Sequence, residues 1–275
     1  MLLSSVVIVL REVLEAALLF SILIALAKQM SLGTYWLLIS FAIGVTGAII
    51  YAVNIVHVSQ WFDYVGQEVT NAMIQIMIYC LLVIYMLMLA AFLQQKKISK
   101  PLFLFVMIGI TSMAMVREGS EIILYFFSVT RNDSYYLSVL VGMIIGASIG
   151  VSIGLLFYYL LDSIGSYKSG LVALLLLLLV AAGMISQASL LLIQADWLPA
   201  QLPLWDSSAL LSEQSVFGQL LYALIGYEST PTAIQMALYC LAFVLPLSLL
   251  IIFKAKGYPK NNTSASQTET VSGTM

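Results

Sequence analysis

Seven long apolar runs constrain this chain more than any other feature. They cover about residues 2–27, 35–58, 72–93, 101–129, 135–161, 169–193 and 233–253. Each is close to or above the roughly 20 residues that a helix needs to cross a bilayer. The runs are continuously apolar rather than alternating, which selects helices over a closed β-barrel. Only 9% of residues are charged and 62% are hydrophobic, whereas a soluble domain carries about 25% charged residues. The expected fold class is therefore an all-α polytopic membrane protein with seven transmembrane helices. The first run has neither a basic leader nor a clear cleavage site, so it reads as a retained span.

Two of these runs are interrupted by charge in the same way. Arg11-Glu12-Val13-Leu14-Glu15 and Arg117-Glu118-Gly119-Ser120-Glu121 both follow the pattern R-E-x-x-E. A charge at membrane depth costs roughly 2.5–3.5 kcal/mol on insertion scales, so three in one helix need a reason. At about 100° per residue, Arg11, Glu12 and Glu15 share one stripe, and so do Arg117, Glu118 and Glu121. Carboxylates three apart can meet one ligand, and Arg and Glu four apart can pair along the helix. Facing motifs would place four carboxylates against two guanidiniums. That excess of buried negative charge calls for a cation or protons. Carboxylate oxygen suits hard cations. The candidate binding residues are Glu12, Glu15, Glu118 and Glu121, with Arg11 and Arg117 orienting them and compensating charge. A purely structural role, each Arg locking its own Glu, does not need the second carboxylate.

The chain also repeats. A shift of 106 positions carries the first motif onto the second and Ile43-Gly44-Val45-Thr46 onto Ile149-Gly150-Val151-Ser152. The unit is three spans, so the copies should be inverted, with the substrate site at their interface. The expected organisation is a permease domain over 1–253, made of repeat A (1–97), repeat B (101–193), an outer loop (194–232) and span 7 (233–253). A disordered tail follows over 254–275. Gly142, Gly146, Gly150 and Gly154 recur every four residues in span 5 and mark a face for close helix packing.

Lys28, Lys96, Lys97, Lys100, Lys168, Lys254, Lys256 and Lys260 fall on one side if the N-terminus is outside, and only Arg131 falls on the other. This bias predicts an external N-terminus and a cytoplasmic C-terminus in a plasma or inner membrane. The outer loops are acidic. Glu68, Asp206, Glu213 and Glu228 are candidate residues for an outer relay or docking surface. In the loop 194–232, Val216–Ile225 is too short to span and reads as a re-entrant or interfacial helix. Cys80 and Cys240 read as packing residues rather than a disulfide. The only histidine is His57, so zinc, haem and iron–sulfur ligation are disfavoured. No basic patch can follow a nucleic-acid backbone.

These features together resemble the iron permease family, the oxidase-dependent ferric iron transporters of fungi and bacteria. The resemblance spans about 1–253. It rests on the paired motifs and on the last outer loop, with Trp205-Asp206-Ser207-Ser208, Ser215, Phe217-Gly218, Leu220-Leu221, Gly226-Tyr227 and Pro231. It implies transport of Fe3+ as substrate, no permanently bound cofactor, and a ferroxidase or extracytoplasmic iron donor as partner. Val13 stands where the family has Gly, and Ser120 where it has Leu. Asn71 occupies the second of two outer carboxylate positions, the first being Glu68. The alternatives are a permease for another hard or heavy cation and, from another class, a membrane metalloenzyme or a non-transporting assembly subunit. Diiron enzymes use E-x-x-H pairs, which both motifs lack. No phosphate-binding G-x-x-x-x-G-K-[ST] string occurs, so ATP hydrolysis by that route is not expected.

Overall fold

The computed structural model describes residues 2–94, 99–129, 136–164, 166–213 and 215–256. Lys96, Lys97, Arg131, Lys260 and the tail from 257 onward lie outside the described residues. The chain forms α1 (Leu2–Gln29), α2 (Tyr35–Val53), α3 (Ile55–Ser59), α4 (Trp61–Tyr64), α5 (Gly66–Leu93), α6 (Lys100–Val129), α7 (Tyr136–Ser163), α8 (Ser166–Gln194), α9 (Val216–Ile225) and α10 (Ala233–Lys256). Among the described residues, α2, α5, α6, α7, α8 and α10 are long and apolar enough to cross a membrane. α1 misses that measure only because Arg11, Glu12 and Glu15 crowd its middle. It has 28 residues and packs along α7, which makes it the seventh span of a polytopic bundle.

Two boundaries differ from the sequence expectation. Span 2 ends at Val53 rather than residue 58, because the backbone bends at Asn54 and restarts as α3. Span 3 begins at Gly66 rather than 72. Its first turns carry Gln67, Glu68 and Asn71, which hydropathy rejects although a helix accommodates them. The join between α3 and α5 is a tight reversal, with φ of 53°, 62° and 73° at Phe62, Asp63 and Tyr64. Gly66 closes it, since a Cβ there would lie 1.8 Å from the Val58 carbonyl oxygen. Cys80 and Cys240 are free thiols, but they are exposed on the outside of the bundle instead of packed within it. A span's outer face meets lipid, so hydropathy cannot tell such a residue from a core one.

Helix directions follow from the contacts. Gly142, Gly146, Gly150 and Gly154 of α7 meet Leu2, Val6, Val13 and Ala17 of α1 in rising order, so these helices run parallel. α2 and α6 are parallel too, with Gly44 on Met115 and Gly47 on Val116. α1 and α6 are antiparallel, since Ser5 bonds Tyr125 while Glu15 pairs with Arg117. α5 and α8 also oppose each other, with Gln75 on Gln187 and Leu93 beside Gly170. Spans 1 and 4, and spans 3 and 6, therefore point in opposite directions, as three-span copies require. Val13, bulky where the resemblance expects Gly, fits because Gly150 faces it with no side chain.

Lys28, Lys168 and the end of α10 lie at one end of the bundle, where Lys28 pairs with Asp162 at 2.8 Å and Gln29 bonds Ser169 at 2.7 Å. The main apolar core occupies this half, with Leu26, Tyr85, Leu89, Phe103, Ile110 and Leu177 fully buried. The other half holds the charged motifs. A Cβ on Gly146 would lie 2.5 Å from the Val6 carbonyl oxygen, and backbone cannot yield as a side chain can. Gly146→Val should thus separate α1 from α7 and cost at least ~1–3 kcal/mol. Gly33→Ala meets only an ordinary contact at 3.9 Å. Thermal unfolding of the detergent-solubilised protein should show a large drop for the first and none for the second.

Candidate metal site

The site lies where α1 and α6 cross in opposite directions. Both motifs sit about 12–20 Å from the helix ends opposite the lysines, at 1.5 Å per residue. Glu12, Glu15, Arg117 and Glu118 are buried, and Glu121 is half-buried. Carboxylate oxygens of Glu12, Glu118 and Glu121 come within 4.8 Å of one another. A hard ion with oxygen ligands at about 2.0–2.6 Å spans roughly 4–5 Å across its shell, so one ion fits between them.

Glu15 does not join this group. It faces the guanidiniums, with Arg117 Nη1 at 3.2 Å and Arg11 Nε at 3.6 Å, and Gln187 Nε2 donates to it at 3.4 Å. Gln75 Nε2 in turn donates to Gln187 at 2.6 Å. Arg117 is the hub, because it also touches Glu118 and reaches Glu121 at 3.8 Å. Among the described residues, Glu12 has no ion pair. Its Oε2 and the Oε2 of Glu118 are buried with no hydrogen-bond partner. Unpartnered buried carboxylate oxygens are costly, and a cation between them removes the cost.

The two arginines are unequal. The Arg117 side chain is 5% exposed, while that of Arg11 is 42% exposed. Arg11 Nη2 donates to the Tyr222 hydroxyl at 2.5 Å, and its guanidinium lies 4.1 Å from that ring's centre. Tyr222 comes from α9, which packs Ala223 on Leu14 and Leu18 of α1. α9 reaches this depth because Gly226, at φ 66°, ends it against Gly183 of α8, where no side chain could fit. The helix expected to be re-entrant or interfacial thus forms a wall of the site. Between α9 and the start of α1 lies a cavity of about 620 Å³ with Arg11, Glu12, Glu213, Gln219 and Tyr222 on its walls. An apolar cavity of about 330 Å³ touches the opposite side of Glu12 and Glu118.

The candidate outer residues separate. Glu213 lines the larger cavity and accepts from the Ser229 N–H at 2.5 Å. Glu228 accepts from Gln235 at 2.8 Å. Burial, and then the neighbouring Glu213 charge, push its carboxyl up to about 7. Asp206 is exposed and closes a local turn, accepting from the N–H and hydroxyl of Ser208, which hold its pKa below the usual range. Glu68 is half-buried one helical turn before Asn71 on α5. Asn71 donates to Glu121 at 3.5 Å and accepts from Tyr51 at 3.1 Å, so the position lacking a carboxylate still touches the cluster.

Gln75, Gln187, Gln219 and Tyr222 were not singled out by the motifs. Their signal was present only as side-chain amides, and one tyrosine hydroxyl, inside apolar helices, where a polar group needs a partner. Removing Arg117 strands two buried carboxylates, whereas Arg11 keeps one face in solvent. Arg117→Leu should lower stability by about 3–5 kcal/mol, and Arg11→Leu by much less. Thermal midpoints of the two purified variants check this, and equal losses would contradict the asymmetry.

The description Iron permease FTR1 family matches residues 2–259 of the chain. No curated protein and no solved structure matches it. The matched range takes in both charged motifs, the spans that hold them together and the outer loop that walls the site. The chain belongs to the iron permease FTR1 family, and is a multi-pass membrane protein of iron transport.

Proposed function

We propose that this permease imports Fe3+ into the cell, and that its path runs through the carboxylates of the two motifs. The observation that carries this reading is the cluster of Glu12, Glu118 and Glu121 at membrane depth, with bare oxygens on two of them. Ferric ion is a hard cation that prefers carboxylate oxygen. Glu12, Glu118 and Glu121 contact it first. Glu15 holds the two guanidiniums until the ion draws it in. Arg117, always charged, orients the surrounding carboxylates through its planar fork.

The basic end of the bundle is cytoplasmic by the positive-inside bias, so the cavity beside Glu12 opens to the exterior. Ferric ion is nearly insoluble in neutral water, so a ferroxidase or iron-donor protein at the outer loop delivers it. The membrane potential favours entry by roughly 7 kcal/mol for a trivalent ion crossing 100 mV. The packed apolar core below the cluster closes the cytoplasmic side, so release requires movement of the helices against one another.

Radio-iron uptake into proteoliposomes tests the path. Glu12→Gln, Glu118→Gln and Glu121→Gln should each reduce uptake at least about tenfold, the scale of losing a charged ligand, while folded yield is kept. Full uptake by any of them would remove that residue from the path, and equal uptake of unrelated trivalent ions would remove the selectivity for iron. Sidedness has its own test in a background lacking Cys80 and Cys240. Ala209→Cys should react with an impermeant thiol reagent on intact cells, and Lys100→Cys only after permeabilisation. The opposite pattern would reverse the entrance.

A further inference from the structure

We infer that the buried amides of Gln75 and Gln187 position Glu15: they hold its carboxylate beside the two arginines while the three-carboxylate cluster is empty, and they release it to an arriving metal ion by bonding to each other instead. The inference rests on the transport reading above and names what lets Glu15 change partners.

The hydrogen bonds run in one direction through three helices. Gln75 of α5 is fully buried and Gln187 of α8 is 6% exposed. Gln75 Nε2 donates to Gln187 Oε1 at 2.6 Å, and Gln187 Nε2 donates to Glu15 Oε2 of α1 at 3.4 Å. Gln75 Oε1 is left over. It is buried and has no hydrogen-bond partner among the described residues.

That orphan oxygen carries the inference. Each side-chain amide offers two N–H donors and one oxygen. Two facing amides can therefore satisfy each other with a pair of opposed N–H···O bonds. Here only one of the pair is made, and the Gln187 nitrogen that could complete it serves Glu15. Turning the pair end for end would satisfy Gln75, but it would set the Gln187 oxygen against the Glu15 carboxylate. A pair that only locked α5 to α8 would close both bonds and leave no buried oxygen bare. The Glu15 carboxylate thus keeps the amides half-closed.

The other groups around Glu15 are equally able to let it go. Arg117 also touches Glu118 and reaches Glu121 at 3.8 Å. Arg11 also donates to Tyr222. Gln187 has the bare Gln75 oxygen, carried on the same carbon as the nitrogen that already donates to it. When Glu15 turns to an ion between Glu12, Glu118 and Glu121, its bond from Gln187 is lost and a Gln187–Gln75 bond replaces it. The exchange keeps the number of buried hydrogen bonds constant, so no amide is stranded when the ion binds. Gln75 and Gln187 are positioning residues, since neither touches the ion.

Terbium(III), a hard trivalent ion whose luminescence reports binding, is the probe for the full-length purified protein. Gln187→Leu removes the hold on Glu15 and should tighten terbium binding about fivefold, the scale of one neutral hydrogen bond. Gln75→Leu removes the oxygen that receives the Gln187 N–H and should weaken binding by a similar factor. The double variant should match Gln187→Leu, because Gln75 acts only through Gln187. Met, unbranched and adaptable, replaces Leu in any variant that fails to fold. Two shifts of the same sign, no shift, or a double variant weaker than Gln187→Leu overturns the inference. Infrared difference spectra read the exchange directly. Terbium should lower the frequency of one glutamine side-chain carbonyl band in wild type, as Gln75 Oε1 gains its bond, and not in Gln75→Leu. An unshifted wild-type band also overturns the inference. In proteoliposomes, KM for Fe3+ should fall in Gln187→Leu and rise in Gln75→Leu. Wild-type proteoliposomes that take up no Fe3+ would refute the transport reading instead, and the terbium and infrared measurements would still decide whether the amides exchange partners.

Discussion

The buried guanidinium of Arg117 is the interaction on which the rest of the structure depends. It touches Glu15 from one motif and Glu118 and Glu121 from the other, so it ties α1 to α6 across the repeat interface. Without it, several carboxylates would face one another in a medium of low dielectric constant, where like charges cannot stay ionised together. With it, Glu15 and Glu118 each have a cationic partner. The bare oxygens of Glu12 and Glu118 are what remains over. A site that is held together yet short of positive charge can accept a cation without being rebuilt.

That arrangement depends on close packing elsewhere. The glycines of α7 let α1 lie against it at backbone distance, and Gly44 and Gly47 do the same for α2 on α6. Two tight parallel pairs result, and the charged stripes of α1 and α6 are left facing each other. The apolar half of the bundle supplies rigidity and closes one end. The charged half carries the cavity. Apolar packing and buried charge are thus divided along the bundle axis, with the least satisfied groups in the charged half.

The repeat makes the motifs alike, and α9 makes them different. It lies outside the repeat, docks on α1 and α8 and presents Tyr222 to Arg11. Arg11 is therefore drawn toward the cavity while Arg117 stays central. Glu12 is the member of the cluster that the cavity reaches. One added helix thus makes the surroundings of the two motifs unequal.

The sequence by itself determined the fold class, the spans to within a few residues and the inverted repeat, because lipid forces long apolar helices and an odd number of spans inverts each copy. It also singled out Glu12, Glu15, Glu118 and Glu121, since a charge inside such a helix is costly. It could not separate the roles of those carboxylates. Glu12 and Glu15 share a stripe and a spacing, yet one faces the carboxylates of Glu118 and Glu121 and the other the arginines. That outcome depends on how α6 crosses α1, a contact between residues about a hundred positions apart. Nor could it find Gln187 or Tyr222, whose partners come from distant helices. Local pattern fixed what each helix is, and the packing of helices against one another decided which side chains meet.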